Sequence, residues 1–385
     1  MHISSLVVVV LSLLTGAMAS PGDDLWATID CKYQCEQISC ENNRHYYRIH
    51  PDRYYNPSWR FTEGPLPKYL EWLAWDCYSN CDYQCQRIIT EERRNNHEEI
   101  YQFHGKWPFV RVAGIQEVTS VIFSLGNLVV HGLGLKKIWH KWNSIPNGPA
   151  HDRLKSQYIN LILMTLVSMG AWIFSTIFHI RDLDITEKLD YYCAGLTVLM
   201  GFHTLGARFG ELYLESNANY RYAFSAICAV SYAGHIARLV IDWSYTYNMR
   251  ANIFIGILQN ICLVGICYYI YSHYYYLEQD NKSTQNHLKY IDFRAIILPS
   301  FFSRSPKLYS LYPLMLGIIV ILGMSLEIFD FPPIFYDLVD AHSLWHLVTI
   351  FPAYFGWYDW MLWDIHENVW PHIQQVELLN VKKNE

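Results

Sequence analysis

Beyond residue 111 the chain is organised as seven long apolar runs, near 112–135, 158–180, 190–212, 222–241, 252–276, 312–331 and 342–363. Each approaches the roughly 17 to 25 residues that a helix needs to cross about 30 Å of hydrocarbon. The pattern predicts an all-α polytopic membrane protein, a bundle of seven transmembrane helices. The third and last runs are the least apolar, and polar groups inside a bilayer cost a few kcal/mol each, so these two should face the bundle interior. A shorter apolar run over 6–14 cannot span a bilayer. Ala17-Met18-Ala19 follows it with the small-x-small spacing of a signal-peptidase site, so a signal peptide over 1–19 is expected.

Composition strengthens this class. Hydrophobic residues make up 52% and charged residues 17%, which argues against an ordinary soluble enzyme or a disordered chain. A net charge of -6 without a basic stripe excludes a nucleic-acid binder. The many Tyr and Trp residues fit a protein with several membrane–water interfaces.

Loop charge sets the expected topology. The first connection carries Lys136, Lys137, Lys141, Arg153 and Lys155, and the fifth carries Lys282, Lys289, Arg294, Arg304 and Lys307, so both should be cytosolic. The second, 181–188, is rich in acidic residues, and the sixth, around Asp330, Asp337 and Asp340, holds no Lys or Arg. The N-terminus is then luminal and the C-terminus cytosolic, and the sequon Asn281-Lys282-Ser283 falls in the cytosol, unused. The ending Lys382-Lys383-Asn384-Glu385 matches a dilysine retrieval signal read by the COPI coat. With the signal peptide it points to the endoplasmic reticulum and Golgi membranes.

Six cysteines lie in two clusters, Cys31, Cys35, Cys40 and Cys77, Cys81, Cys85. Spacings of four place pairs on single helix faces. In an oxidising lumen they read as a helical hairpin stapled by up to three disulfides of open pairing, with a zinc site as the rival. Cys193, Cys228, Cys262 and Cys267 fall in apolar runs and read as core thiols. The expected organisation is a signal peptide (1–19), a luminal cysteine-rich domain (20–111), a seven-span bundle (112–363) and a cytosolic tail (364–385).

The chemistry concentrates at the luminal helix ends. Ser175 and His179 stand four apart near the end of the second run, His342 and His346 four apart at the start of the last, and Asp190 opens the third. Two imidazoles at i and i+4 can share one metal. His179, His342 and His346 would leave one position of tetrahedral Zn2+ open, the pattern of a catalytic site. Asp190 is suited to general-base work and Ser175 to donating a hydrogen bond to an oxyanion. Single histidines such as His203 or His235 more often pack, and a span serine usually bonds a backbone carbonyl. Glu117 and Asn127 read as supporting residues.

Gly105-Lys106-Trp107-Pro108-Phe109, Phe178-His179-x-Arg181-Asp182 and Asp340-Ala341-His342-x-x-Trp345-His346, with the signal peptide and paired cysteine clusters, resemble the Per-like family over essentially the whole mature chain. That family is similar to a broader group of seven-span hydrolases that includes alkaline ceramidases and the adiponectin and progestin receptors. The resemblance implies a zinc hydrolase site made of Ser175, His179, Asp190, His342 and His346. It also implies removal of the unsaturated sn-2 acyl chain from glycosylphosphatidylinositol (GPI) anchors, so that a saturated chain can replace it. GPI-anchored proteins and membrane lipids would be the partners. Amide hydrolysis of ceramide and non-catalytic binding of GPI anchors by a chaperone or receptor are the alternatives. A signalling receptor fits least, because a dilysine tail would hold it away from the cell surface.

Overall fold

The computed structural model describes residues 20–43, 54–62, 64–279 and 301–384, the side chains of 380–384 excepted. The expected signal peptide, the sequon at Asn281 and the side chains of Lys382 and Lys383 lie outside the described residues. The chain is all-α: extended pairing among the described residues is limited to isolated bridges at Phe103 with Lys106, Val112 with Ile115 and Ile334 with Val339.

Two compact units divide it. One gathers the described residues of Met1–Ile122 with Thr176–Thr186 and Leu326–Leu344; the other gathers Phe123–Ser175, Glu187–Ser325 and Trp345–Glu385.

The first unit is built on α1 (Trp26–Cys35), α2 (Lys68–Trp72) and α3 (Cys77–Asn95). Asp76 opens α3 with a capping box: its carboxylate accepts from Ser79 N at 2.7 Å, and its own N–H donates to Ser79 Oγ at 3.0 Å. Disulfides join Cys31 to Cys85, Cys35 to Cys81 and Cys40 to Cys77, a ladder between antiparallel helices. Cysteines 35 and 40 are five apart, and a π-turn over Glu36–Cys40 keeps Cys40 on the bonded face despite the extra residue. The rival zinc reading fails here, because all six sulfurs are spent in bridges. Trp59, Ile89 and Phe103 close around them. The following loop folds through two tight turns, at His104-Gly105 (φ 50° and 78°) and Ala113-Gly114 (φ 51° and 87°). Two successive positive φ values are the hairpin-turn geometry that glycine at the second place makes cheap.

The remaining helices are α4 (Val118–Asn143), α5 (Pro149–Ile180), α6 (Asp184–Phe209), α7 (Ala218–Ile241), α8 (Tyr245–Gln279), α9 (Pro306–Tyr309), α10 (Tyr312–Ile328), α11 (Ala341–Tyr354), α12 (Trp357–Asp364) and α13 (Trp370–Asn384). Five of the expected runs form helical stretches long and apolar enough to cross a membrane: α4, α5, Glu215–Ile241 (α7 with the turn before it), α8 and Pro306–Ile328 (α9 together with α10). This is a multi-pass membrane protein. The other two runs differ from the seven-span expectation for separate reasons. In α6, charged residues at both ends and Thr197, His203 and Thr204 between them dilute the apolar content. The last run breaks into α11 and α12 at Gly356, whose φ of 114° no other residue adopts easily. The first run also starts later as a helix than expected, since 112–115 is spent in the Ala113-Gly114 turn.

The second unit packs around aromatic residues. Trp360, Trp363, Tyr309, Tyr312 and Tyr274 are wholly buried. Tyr309 meets Trp363 edge-on at 4.9 Å, and Trp360 donates its indole N–H to the Tyr309 carbonyl at 3.1 Å. Arg208 forks onto Asp364 at 2.7 and 2.9 Å, both residues buried. Cys193, Cys228, Cys262 and Cys267 are free thiols; the last three are buried as expected, whereas Cys193 is only half-buried.

Candidate functional site

In the first unit the site begins with the end of α5. The last carbonyls of a helix have no partner within it. Here the backbone N–H groups of Gln116 and Glu117 supply two, donating to Ile180 O and His179 O at 3.0 Å each. That pairing lays the Glu117 side chain on His179, with Oε2 2.8 Å from Nδ1. Both are nearly fully buried, and a buried carboxylate needs compensation. Lys106 provides it, donating to Glu117 Oε1 at 2.5 Å while pairing with Asp182 at 3.2 Å. Its ammonium also lies 3.7 Å over the Phe178 ring. Two of the sequence motifs therefore meet at one ion-pair network.

The second imidazole of this unit is placed by a helix start. Asp340 caps α11 through the same box as Asp76, accepting from Ser343 N at 2.8 Å and donating to Ser343 Oγ at 3.0 Å. His342 thus sits in the first turn of α11, its ring centroid 5.3 Å from that of His179. Its Nδ1 is 2.7 Å from Glu327 Oε1, at the end of α10.

In the second unit, Ser175 lies one turn before His179 on α5, and His346 one turn after His342 on α11. Ser124 of α4 joins the two: its hydroxyl is 3.1 Å from Ser175 Oγ and 2.8 Å from His346 Nδ1. All three are buried. Trp172 meets the His346 ring edge-on at 5.3 Å. Asn127 donates to the His346 carbonyl at 2.8 Å and to Thr349 Oγ1 at 3.0 Å, fixing the turn that carries the imidazole.

One state is common to His179, His342 and His346: each engages an oxygen through Nδ1. The oxygens are a Glu117 carboxylate, a Glu327 carboxylate and the Ser124 hydroxyl. The three are imidazoles able to serve as metal ligands.

The model of the Per1-like family matches residues 67–365, more than half of the chain. The chain belongs to the Per1-like family. It is 43% identical to Protein PER1 of Saccharomyces cerevisiae over 349 residues, covering 90% of this chain and 91% of that protein. It is 33% identical to the Protein PER1 homolog of Schizosaccharomyces pombe over 343 residues, 88% of this chain and 86% of the other. Similarity extends to the GPI-specific phospholipase A2-like PGAP3 of Homo sapiens, 28% identical over 346 residues, 88% of this chain and 89% of that one. No solved structure matches the chain.

Within this Per1-like chain the expected site residues fall into two sets. His179 and His342 come together in one unit, and Ser175 and His346 in the other. Asp190 lies half-buried in the second turn of α6. Three participants go beyond the sequence reading. Glu117, expected only to support, bonds an imidazole directly. Glu327 stands with Asp330 as one of two carboxylates near the end of the sixth run, yet nothing in its spacing linked it to His342. Ser124 carried no signal, since hydroxyls are common in spans. His203 and His235 behave as packed residues: His203 bonds Ser225 Oγ at 2.9 Å and stacks on Phe224, and His235 packs on Tyr247.

Proposed function

We propose that this chain remodels the lipid of GPI-anchored proteins by hydrolysing their sn-2 acyl ester, a zinc-dependent phospholipase A2-type reaction in the luminal leaflet. Kinship supports the substrate class, since the relatives of Xenopus laevis and Homo sapiens are named GPI-specific phospholipase A2-like. The observation that carries the chemistry is the shared Nδ1 engagement of His179, His342 and His346. Metal-bound histidines nearly always spend the second ring nitrogen on a carboxylate, carbonyl or similar oxygen, which orients the ring and leaves Nε2 for the ion. The donor set fits zinc: three neutral imidazoles are a common catalytic complement. When bound, zinc supplies Lewis acidity at the ester carbonyl and lowers the pKa of water towards neutrality.

The chain's own residues do the remaining work. Glu117 and Glu327 hold their imidazoles in one tautomer, and Lys106 holds Glu117. Asp190 takes a proton from the attacking water and returns it to the leaving glycerol oxygen. Ser175, positioned by Ser124, donates to the oxyanion that develops on the carbonyl. Water adds across the ester, so the products are a free fatty acid and a lyso-form anchor. The cysteine-rich segment faces the lumen, the C-terminus faces the cytosol, and Lys382 and Lys383 return the protein through the COPI coat to the endoplasmic reticulum and Golgi.

Lipid mass spectrometry of GPI anchors from cells with and without this protein tests the reading. Cells lacking it should retain the unsaturated sn-2 chain on mature anchors. Identical anchor lipids in both would refute the assignment, and a change confined to ceramide would favour amide hydrolysis instead.

A further inference from the structure

The first unit contains a cleft of about 420 Å³, most of whose lining the chemistry above leaves unused. Its size is within the ordinary range for small-molecule sites. The Tyr78 ring, 53% exposed, and the half-buried Trp107 indole line it. The same lining holds a network centred on Asp82, which accepts from Lys32 at 2.5 Å, Gln86 at 2.7 Å and the His104 ring at 3.1 Å. The lining also includes Lys106 and Asp182, the pair that reaches Glu117 and through it His179.

The charge of this lining says what it suits. Beside His104, three cations (Lys32, Lys106, Arg181) meet three carboxylates (Asp82, Asp182, Asp184), so the lining holds at most one surplus positive charge for a phosphate. A polyol has other needs: every hydroxyl both donates and accepts, and the apolar face of a sugar ring packs on an aromatic side chain. Fixed donors and acceptors beside two accessible rings meet both needs.

We propose that this cleft binds the carbohydrate of the GPI anchor, with sugar rings against Tyr78 and Trp107 and hydroxyls on Asp82, Gln86 and His104. The identity of the sugar as an anchor glycan rests on the function proposed above; the cleft's suitability for carbohydrate does not. A glycan held there lies beside Lys106, and the lipid it carries is presented to the imidazole end of the Lys106–Glu117–His179 chain.

The test uses the full chain in detergent and a water-soluble GPI glycan stripped of lipid and protein, titrated calorimetrically. Wild type should bind it. Tyr78→Ala and Gln86→Ala should each bind about five- to tenfold more weakly, the scale of one aromatic or hydrogen-bonded contact. On intact GPI-anchored substrate the same variants should raise KM with kcat retained. Both positions carry partly exposed side chains, and retention of the three disulfides on non-reducing gels reports that each variant folds. Absence of glycan binding by wild type, unchanged affinity in both variants, or competition by inorganic phosphate at equal concentration would overturn the proposal. Glycan binding without any fatty-acid release would leave it standing and sink the hydrolase reading alone.

Discussion

The two units hold themselves together by different physics. In the cysteine-rich unit three disulfides and a set of partly exposed ion pairs do the work: Arg87 and Arg94 converge on Asp337 at 2.7 and 2.8 Å, and Lys32 and His104 on Asp82. In the other, stability comes from ring packing around Trp360 and Trp363 and from one buried pair, Arg208 with Asp364. The contrast follows from the surroundings. A small water-facing hairpin buries too little apolar surface to stand alone and needs covalent staples. Helices in lipid gain little from hiding apolar groups and rely on close packing and internal polar contacts. The imidazoles divide the same way, two tied to carboxylates and one to a hydroxyl.

The largest expected effect separates the units most sharply. Reducing the disulfides removes about 2 to 5 kcal/mol for each bridge. Limited proteolysis in detergent should then cut within 20–95 while the helices around Trp360 and Trp363 stay protected. Equal loss of protection in both would erase the distinction. The counterpart in the second unit is Arg208→Leu, which strands a buried carboxylate and should destabilise by about 3 to 5 kcal/mol. Thermal unfolding should show the Arg208→Leu/Asp364→Leu double variant recovering most of that loss.

A third prediction concerns the imidazole partners. Glu117→Gln and Glu327→Gln should each weaken zinc binding by about 10- to 100-fold, as loss of an orienting partner typically does. Ser124→Ala should cost less, because a neutral hydroxyl does little to raise the basicity of His346. Equal losses at all three would mean that the partners act only as packing.

The smallest effect is a pH dependence in the cysteine-rich unit. The hydrogen bond that His104 donates to Asp82 raises His104 above its usual 6.5, against the opposing pull of burial. Burial pushes Asp82 up, but His104 and Lys32 outweigh it and the carboxyl falls to about 2. The His104 contribution is therefore complete below pH 6.5 and fades as pH rises through the raised value; that of Asp82 is complete above its ordinary 3.8 and is lost as pH falls through about 2. Melting curves of wild type and His104→Ala should differ near about pH 5 and converge at about pH 9.

Much of this was legible in the residues, and what was not has physical causes. Cysteine spacing announced a stapled hairpin, but pairing depends on which faces meet and on a π-turn that no spacing rule anticipates. Five runs became candidate spans because length and apolarity alone decide them, whereas the seventh broke at the one backbone angle imposed by Gly356. His342 and His346 stood out by their four-residue spacing. Glu327 did not, because it reaches His342 across the 329–340 loop. Ser124 could be found only through its contacts, 222 residues away from His346 in the chain.

The central proposal is that His179, His342 and His346 serve a catalytic zinc ion. Zinc content and fatty-acid release from a GPI-anchored substrate should be measured on the same purified preparation, for wild type and for His342→Ala/His346→Ala. The account predicts one zinc per wild-type chain with release of fatty acid, and the collapse of both together in the double variant. Imidazoles bind zinc only when neutral, so acidification should release the metal from wild type as well. Full zinc occupancy in the double variant, or undiminished release from metal-free protein, would contradict it.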